Sequence, residues 1–188
     1  MTDKTVIKGG VGEAIPHDSA TLHVSGEAVY TDDIREPQGC LHAYVLQSSY
    51  AHARIRKIDI SECYSDGVHA VITAADIPGI NDVAPVFSGD PVFAEDEVFY
   101  AGQAVLAVAA TTRELARKAA HKAVIEYEEL PALLNVRDAI KAQSFVGETC
   151  TMQIGDSTAG IEKAAHRLQG ELEIGGQDHF YLEGQIAM

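Results

Sequence analysis

The chain has 188 residues, 46% of them hydrophobic and 22% charged, which suits one large domain or a domain plus part of another, with a sizeable core. Fourteen basic residues against 28 acidic ones give a net charge of −14, a surface that repels phosphate backbones and anionic lipid, so nucleic-acid and membrane partners are not expected. Cys40, Cys63 and Cys150 form no C-x-x-C pair, which argues against a disulfide framework, a zinc site or an iron–sulfur cluster held by this chain and points to reduced thiols.

In chain order, "MTDKTVIKGGVG" reads as an extended, glycine-rich lead-in without the apolar core of a signal peptide. No apolar run approaches the ~20 residues that span a bilayer, so the expected location is the cytoplasm. "GEAVYTDDIREPQG" (Gly26–Gly39) has loop composition. "LHAYVLQSS" (Leu41–Ser49) and "ARIRKIDI" (Ala53–Ile60) read as strands, and the alternation of the second slips by one near Arg56–Lys57, a pattern that permits a bulge. "VHAVITAADIPG" (Val68–Gly79) predicts a strand entering a single helical turn that Pro78 and Gly79 end. From Ala104 to Ala110 the chain is nearly all apolar, as in a strand covered on both faces.

The strongest helix signal follows. Thr111 and Glu114 have the S/T-x-x-E spacing of a capping box, and Leu115, Ala116, Ala119, Ala120 and Ala123 form one apolar stripe. "VIEYEELP" (Val124–Pro131) returns to strand character, so strand, helix and strand follow one another at βαβ-like spacing. Further on, "GDSTAGIEKAAH" (Gly155–His166) predicts a short helix capped by Asp156 or Ser157. "HRLQGELEIGG" alternates, with Leu168, Leu172 and Ile174 on one face. The class is α+β, with two or three helices and many short strands.

Few residues suggest chemistry. The eight histidines are scattered without an H-x-x-x-H pair, so no metal site built from them is expected. Gly9, Gly10 and Gly12 form G-G-x-G without a strong strand before or a helix after, which dismisses a phosphate loop. Asp32–Asp33 and Glu128–Glu129 are adjacent acids; neighbours on a strand face opposite ways, so these read as solvated turn and edge charges. The terminal "GGQDHFYLEG" differs in kind. Its glycine pair, Gly175 and Gly176, permits close approach, and Gln177 offers a donor and an acceptor without charge. Asp178, His179 and Glu183 could orient one another or face water, and a polar loop is the plain alternative.

Seven collinear segments carry a resemblance: "GEAVYTDDI", "AHARIRKIDIS", "AVITAADIPG", "FAEDEVFYAGQAV", "IEYEELPAL", "GD" at Gly155–Asp156 and "GGQDHFYLEGQ". Together they resemble the N-terminal part of the molybdenum-binding large subunit of xanthine dehydrogenases, within the molybdenum hydroxylase family that also includes aldehyde oxidases. The resemblance implies an N-terminal extension over residues 1–19, an α/β-hammerhead domain over 20–133, and over 134–188 a linker and the truncated beginning of the molybdenum-cofactor domain. It places Gln177, with Gly176 beside it, next to the metal centre, where the family's glutamine hydrogen-bonds the apical oxo ligand; Asp178 stands where the family more often has Glu.

The full enzyme would hydroxylate a purine carbon, hypoxanthine or xanthine to urate, with water as the oxygen source. Its cofactors would be molybdenum–molybdopterin in this subunit and FAD and 2Fe-2S clusters on a partner domain or small subunit, passing electrons to NAD. Its partners would be the rest of the molybdenum subunit, the FAD/iron–sulfur small subunit and the purine substrate. The pterin loops, substrate contacts and glutamate base would lie downstream, so no catalytic residue, no metal ligand, no bound cofactor and no turnover are expected of these 188 residues alone. The alternatives are an aldehyde oxidase or dehydrogenase, a carbon monoxide dehydrogenase, or a non-catalytic assembly module.

Overall fold

The computed structural model describes residues 12, 14–84, 88–177, 179 and 184–188. Gly9, Gly10, Asp178, Phe180 and Glu183 lie outside the described residues, and so do the expectations that rest on them. The chain divides into two units: Gln38–Glu171, and Met1–Pro37 with Leu172–Met188.

The larger unit is built on six strands: β1 (His42–Gln47), β2 (Ala53–Asp59), β3 (Val68–Thr73), β4 (Glu97–Val98), β5 (Ala104–Ala110) and β6 (Val124–Glu129). They form two three-stranded sheets, ordered β1-β5-β3 and β4-β2-β6. Every pairing among the described strands is antiparallel. The apolar run becomes the central strand of the first sheet because both its faces find cover. Leu106 and Val108 join Leu46, Cys63, Val71, Ala119 and Ala120 in one core, while Val105 packs with Ala53, Ala94 and Val98 in the second. Ile58 and Ile125 touch both clusters. A fully buried leucine such as Leu106 contributes roughly 1.5–3 kcal/mol relative to an exposed one.

Ion pairs cross the second sheet between β2 and β6, exposed enough to add little to its stability. Glu128 of β6 takes Arg54 at 3.2 Å and also pairs with Arg56. The register slip read in "ARIRKIDI" is a bulge, with β2 losing step against β6 between Ile55 and Lys57.

Helix α1 (Ala20–Ser25) belongs to the smaller unit; α2 (Arg113–Ala120), α3 (Val136–Lys141) and α4 (Ser157–Lys163) lie in the larger one. Helix α2 buries Ala116, Ala119 and Ala120 and packs against β1, β5 and β3. Its cap is one residue later than expected. The Thr112 side chain accepts the Leu115 N–H at 3.2 Å, whereas the Thr111 N–H is already given to the Gly67 carbonyl at 2.9 Å. Glu114 turns instead to Arg117 and Lys118. Gly67 itself, at φ +84°, brings the backbone so close that a Cβ would meet Leu115 Cδ2 and Thr111 Oγ1 at 2.9 Å.

The βαβ-like spacing misleads. β5 already has β1 and β3 on its two edges, so the chain leaving α2 pairs β6 with β2 in the other sheet. After β3, Ala74–Asp76 makes the expected single turn, here 3-10, with Asp76 accepting the Thr73 N–H at 2.8 Å. Asp156 caps α4 by accepting the Ala159 N–H at 2.9 Å. Helix α3 carried no apolar period to announce it, but Asn135 caps it on Asp138 N–H at 2.9 Å.

The alternating "HRLQGELEIGG" forms neither helix nor strand, and Leu168, Leu172 and Ile174 are exposed. In the smaller unit, α1 ends at Gly26 (φ 78°), the Tyr30 hydroxyl lies 3.0 Å from His23 Nδ1, and a 3-10 turn spans Thr31–Asp33. No helix among the described residues is long and apolar enough to cross a membrane.

Candidate functional site

Gln177 and Gly176 lie in a stretch without regular structure, and both are exposed. The Gln177 Nε2 donates to the Gly176 carbonyl at 3.3 Å, so its amide folds back on its own backbone. Of the other members of the terminal constellation, His179 is exposed, whereas Asp178 and Glu183 lie outside the described residues. From the first resemblance-bearing segment, Tyr30, Asp32 and Asp33 line a cleft of ≈ 280 Å³ with Gly184 of the last one and Ile186 just after it. Asp33 accepts the Tyr30 N–H at 3.0 Å, which caps the 3-10 turn and gives that carboxylate a structural role. Glu128 is committed to Arg54 and Arg56, while Glu129 is exposed.

The most organised polar cluster is one that sequence reading did not single out. His52 ends the loop before β2. Its Nδ1 lies 2.7 Å from the Pro131 carbonyl oxygen, and its Nε2 lies 2.6 Å from Glu97 Oε1 in β4. The ring stacks on Phe99, with centroids 6.0 Å apart and planes 23° apart. The Pro131 hydrogen bond, then Glu97, raise the imidazole's pKa above the ordinary histidine value. Beside it Phe99, Tyr100, Pro131, Leu133 and Leu134 line a cavity of ≈ 550 Å³. Histidine next to a strand was visible in "AHARI", but its partners stand 45 and 79 positions away. Local spacing carries no signal for such a set. Among the described residues no group of three or more His, Cys, Asp or Glu is placed to hold a metal ion.

Two antiparallel three-stranded sheets sharing a core through β5 define an α/β-hammerhead domain. Residues 25–131 match the family described as aldehyde oxidase and xanthine dehydrogenase, a/b hammerhead domain, and the chain belongs to that family. Among relatives, it is 43% identical over 174 residues to the xanthine dehydrogenase/oxidase of Mus musculus, covering 92% of this chain and 13% of that protein. Among solved structures, the aldehyde oxidoreductase from Desulfovibrio gigas aligns with a TM-score of 0.57 and 34% identity over 66% of this chain and 15% of its own. A Cu,Mo-CO dehydrogenase aligns with a TM-score of 0.52 and 33% identity, over 68% of this chain and 16% of its own.

The chain thus spans about an eighth of the length of the curated relative it matches. Gln177 has the chemistry to serve a metal-bound ligand, since a neutral amide donates without adding charge. One exposed amide bonded to its neighbour is not by itself a cradle for a molybdenum cofactor, however.

Proposed function

We propose that this chain contributes the hammerhead domain and adjoining segments of the molybdenum subunit of a xanthine-hydroxylating enzyme. The observation that carries the reading is 43% identity to a xanthine dehydrogenase/oxidase, sustained over 92% of this chain. A molybdenum cofactor, when bound by the assembled enzyme, supplies the redox chemistry that oxidises a purine carbon with oxygen from water. Residues 20–133 form the hammerhead and 134–188 lead into the cofactor domain, with iron–sulfur clusters, FAD and NAD carrying electrons away in the cytoplasm. The share of this chain is scaffold and one polar contact: Gln177 donates a hydrogen bond beside the metal centre, and Gly176 leaves room for the approach. A preorganised donor of this kind acts by orienting and tuning the metal's own ligands, an effect worth roughly 10–100-fold in affinity or activity.

The test uses the holoenzyme that contains this segment. Urate formation from hypoxanthine and xanthine, with label entering from heavy-oxygen water, is expected. Turnover of aldehydes with none of purines would overturn the substrate class in favour of an aldehyde oxidase. Gln177→Ala is expected to lower kcat roughly 10–100-fold while leaving the unfolding midpoint unchanged. An unaltered rate would remove Gln177 from the site. The 188-residue chain by itself is expected to purify without molybdenum, and stoichiometric metal in it would show that these residues suffice for binding.

A further inference from the structure

His52 stands between two groups that only accept. The Pro131 carbonyl oxygen has no proton to give, and neither has the ionised carboxylate of Glu97. At 2.7 and 2.6 Å both separations are those of short, charge-assisted hydrogen bonds. A neutral imidazole has one N–H and one lone pair, so it would satisfy one acceptor and turn a lone pair on the other. The imidazolium satisfies both. The proton between His52 and Glu97 stays on the ring, because imidazole ordinarily holds a proton about two pK units more tightly than a glutamate does.

We propose that His52 is a protonation-dependent latch that fastens the segment leaving β6 to β4. Three elements meet at one ring: the entry to β2, β4 through Glu97, and the chain just past β6 through Pro131. When the ring loses its proton, the remaining N–H stays toward the charged acceptor, where the bond is stronger, and the Nδ1 lone pair is left facing the Pro131 carbonyl. That contact opens. The neighbouring backbone bond, Leu130 N–H to the His52 carbonyl at 3.0 Å, does not depend on the ring's charge, so release begins at Pro131. Residues 131–134 form one side of the ≈ 550 Å³ cavity, and their release widens it.

The surroundings set the direction. Glu97 from β4 favours the charged ring, and so does the carbonyl of Pro131. Arg54, two positions along β2, opposes it, although its guanidinium is drawn toward Glu128 of β6 at 3.2 Å. Tyr100 is the other titratable side chain on the cavity wall, Phe99 supplies only its ring face, and Pro131–Leu134 carry no ionisable side chain. Because the folded state holds the proton more tightly than the unfolded chain does, the latch is closed at lower pH and opens as pH rises through the raised value.

Long-range proton–nitrogen NMR of the 188-residue chain reads the ring directly. His52 is expected to show two protonated nitrogens at a pH where a free histidine is already neutral. The amide signals of Ala132, Leu133 and Leu134 are expected to shift with the same midpoint as the ring. Glu97→Gln should move that midpoint down, and His52→Gln should abolish the pH-dependent shift at 132–134. A single neutral tautomer throughout, or amides at 132–134 whose titration does not follow the ring, would overturn the latch. The coincidence of midpoints is read in the unmodified protein, so it decides the matter even if a variant fails to fold.

Discussion

Residues 124–129 and 168–174 carry the same kind of message in sequence and have opposite outcomes. "VIEYEE" alternates and becomes β6, paired along its length with β2. "LQGELEI" alternates too, yet it makes no strand, and Leu168, Leu172 and Ile174 stay exposed. Alternation states only that a segment could present one apolar face. What turns it into a strand is a partner edge and a surface to bury, and β6 has both: β2 beside it, and the cores of Leu106 and Val105 against which Ile125 packs. Gly170 also interrupts the downstream stretch, where a strand interior tolerates glycine poorly.

The largest effect separating the two regions comes from leucine truncation. Leu106→Ala removes a fully buried side chain from the centre of the first sheet and is expected to cost about 3 kcal/mol, within the 2–5 kcal/mol usual for such changes. Leu168→Ala removes a fully exposed one and is expected to stay within about 0.5 kcal/mol. Urea unfolding of both variants checks the contrast. A comparable loss at Leu168 would mean that the downstream stretch does bury its apolar face.

Much of the larger unit was legible because its signals are local. The apolar run of β5, the slip in β2, the turn after β3 and the Asp156 cap each depend on neighbours a few residues apart. The sheet assignment of β6 was not legible. Its partner lies some 70 positions away, and the choice was made by β5 having no edge left. The cap of α2 was missed by one residue because the Gly67 carbonyl competes for the Thr111 backbone, a contact that spacing within the helix does not reveal. The candidate site divides in the same way. The Gln177 amide was visible as a type of group, whereas the His52, Glu97 and Pro131 cluster is assembled only by the fold.

A smaller effect sharpens the comparison between a packed helix and an exposed one. Both α2 and α4 have a capping side chain, Thr112 and Asp156, bonded to the N–H three residues on. Helix α2 buries three alanines, while α4 buries no residue. Thr112→Ala is therefore expected to lower global stability by about 1 kcal/mol, the usual value of a lost cap. Asp156→Ala is expected to melt α4 locally without moving the global transition, because nothing in the core depends on it. Thr111→Ala, at the position the spacing favoured, should cost less than Thr112→Ala. Circular dichroism with urea unfolding distinguishes the three.

The smallest predicted effect concerns acid. Asp59 ends β2, and its carboxylate accepts the Ser61 hydroxyl at 2.7 Å and the Ser61 N–H at 3.1 Å. These bonds, with Lys57 at 3.2 Å adding to them, hold the carboxyl pKa down at about 2. An unfolded chain protonates the same group near 3.9. The stabilisation is therefore complete above about pH 4 and is lost as the pH falls toward 2. Asp59→Asn keeps an oxygen that accepts from Ser61 but removes the titration. The variant is expected to flatten the acid limb of the stability curve and to give up the same small increment at neutral pH, small because the carboxylate is partly open to solvent screening. Retention of the full acid slope in the variant would place the acid sensitivity of the sheet region on other carboxylates, with Asp76 and its Thr73 bonds the next to examine, as its pKa is lowered by the same kind of contact.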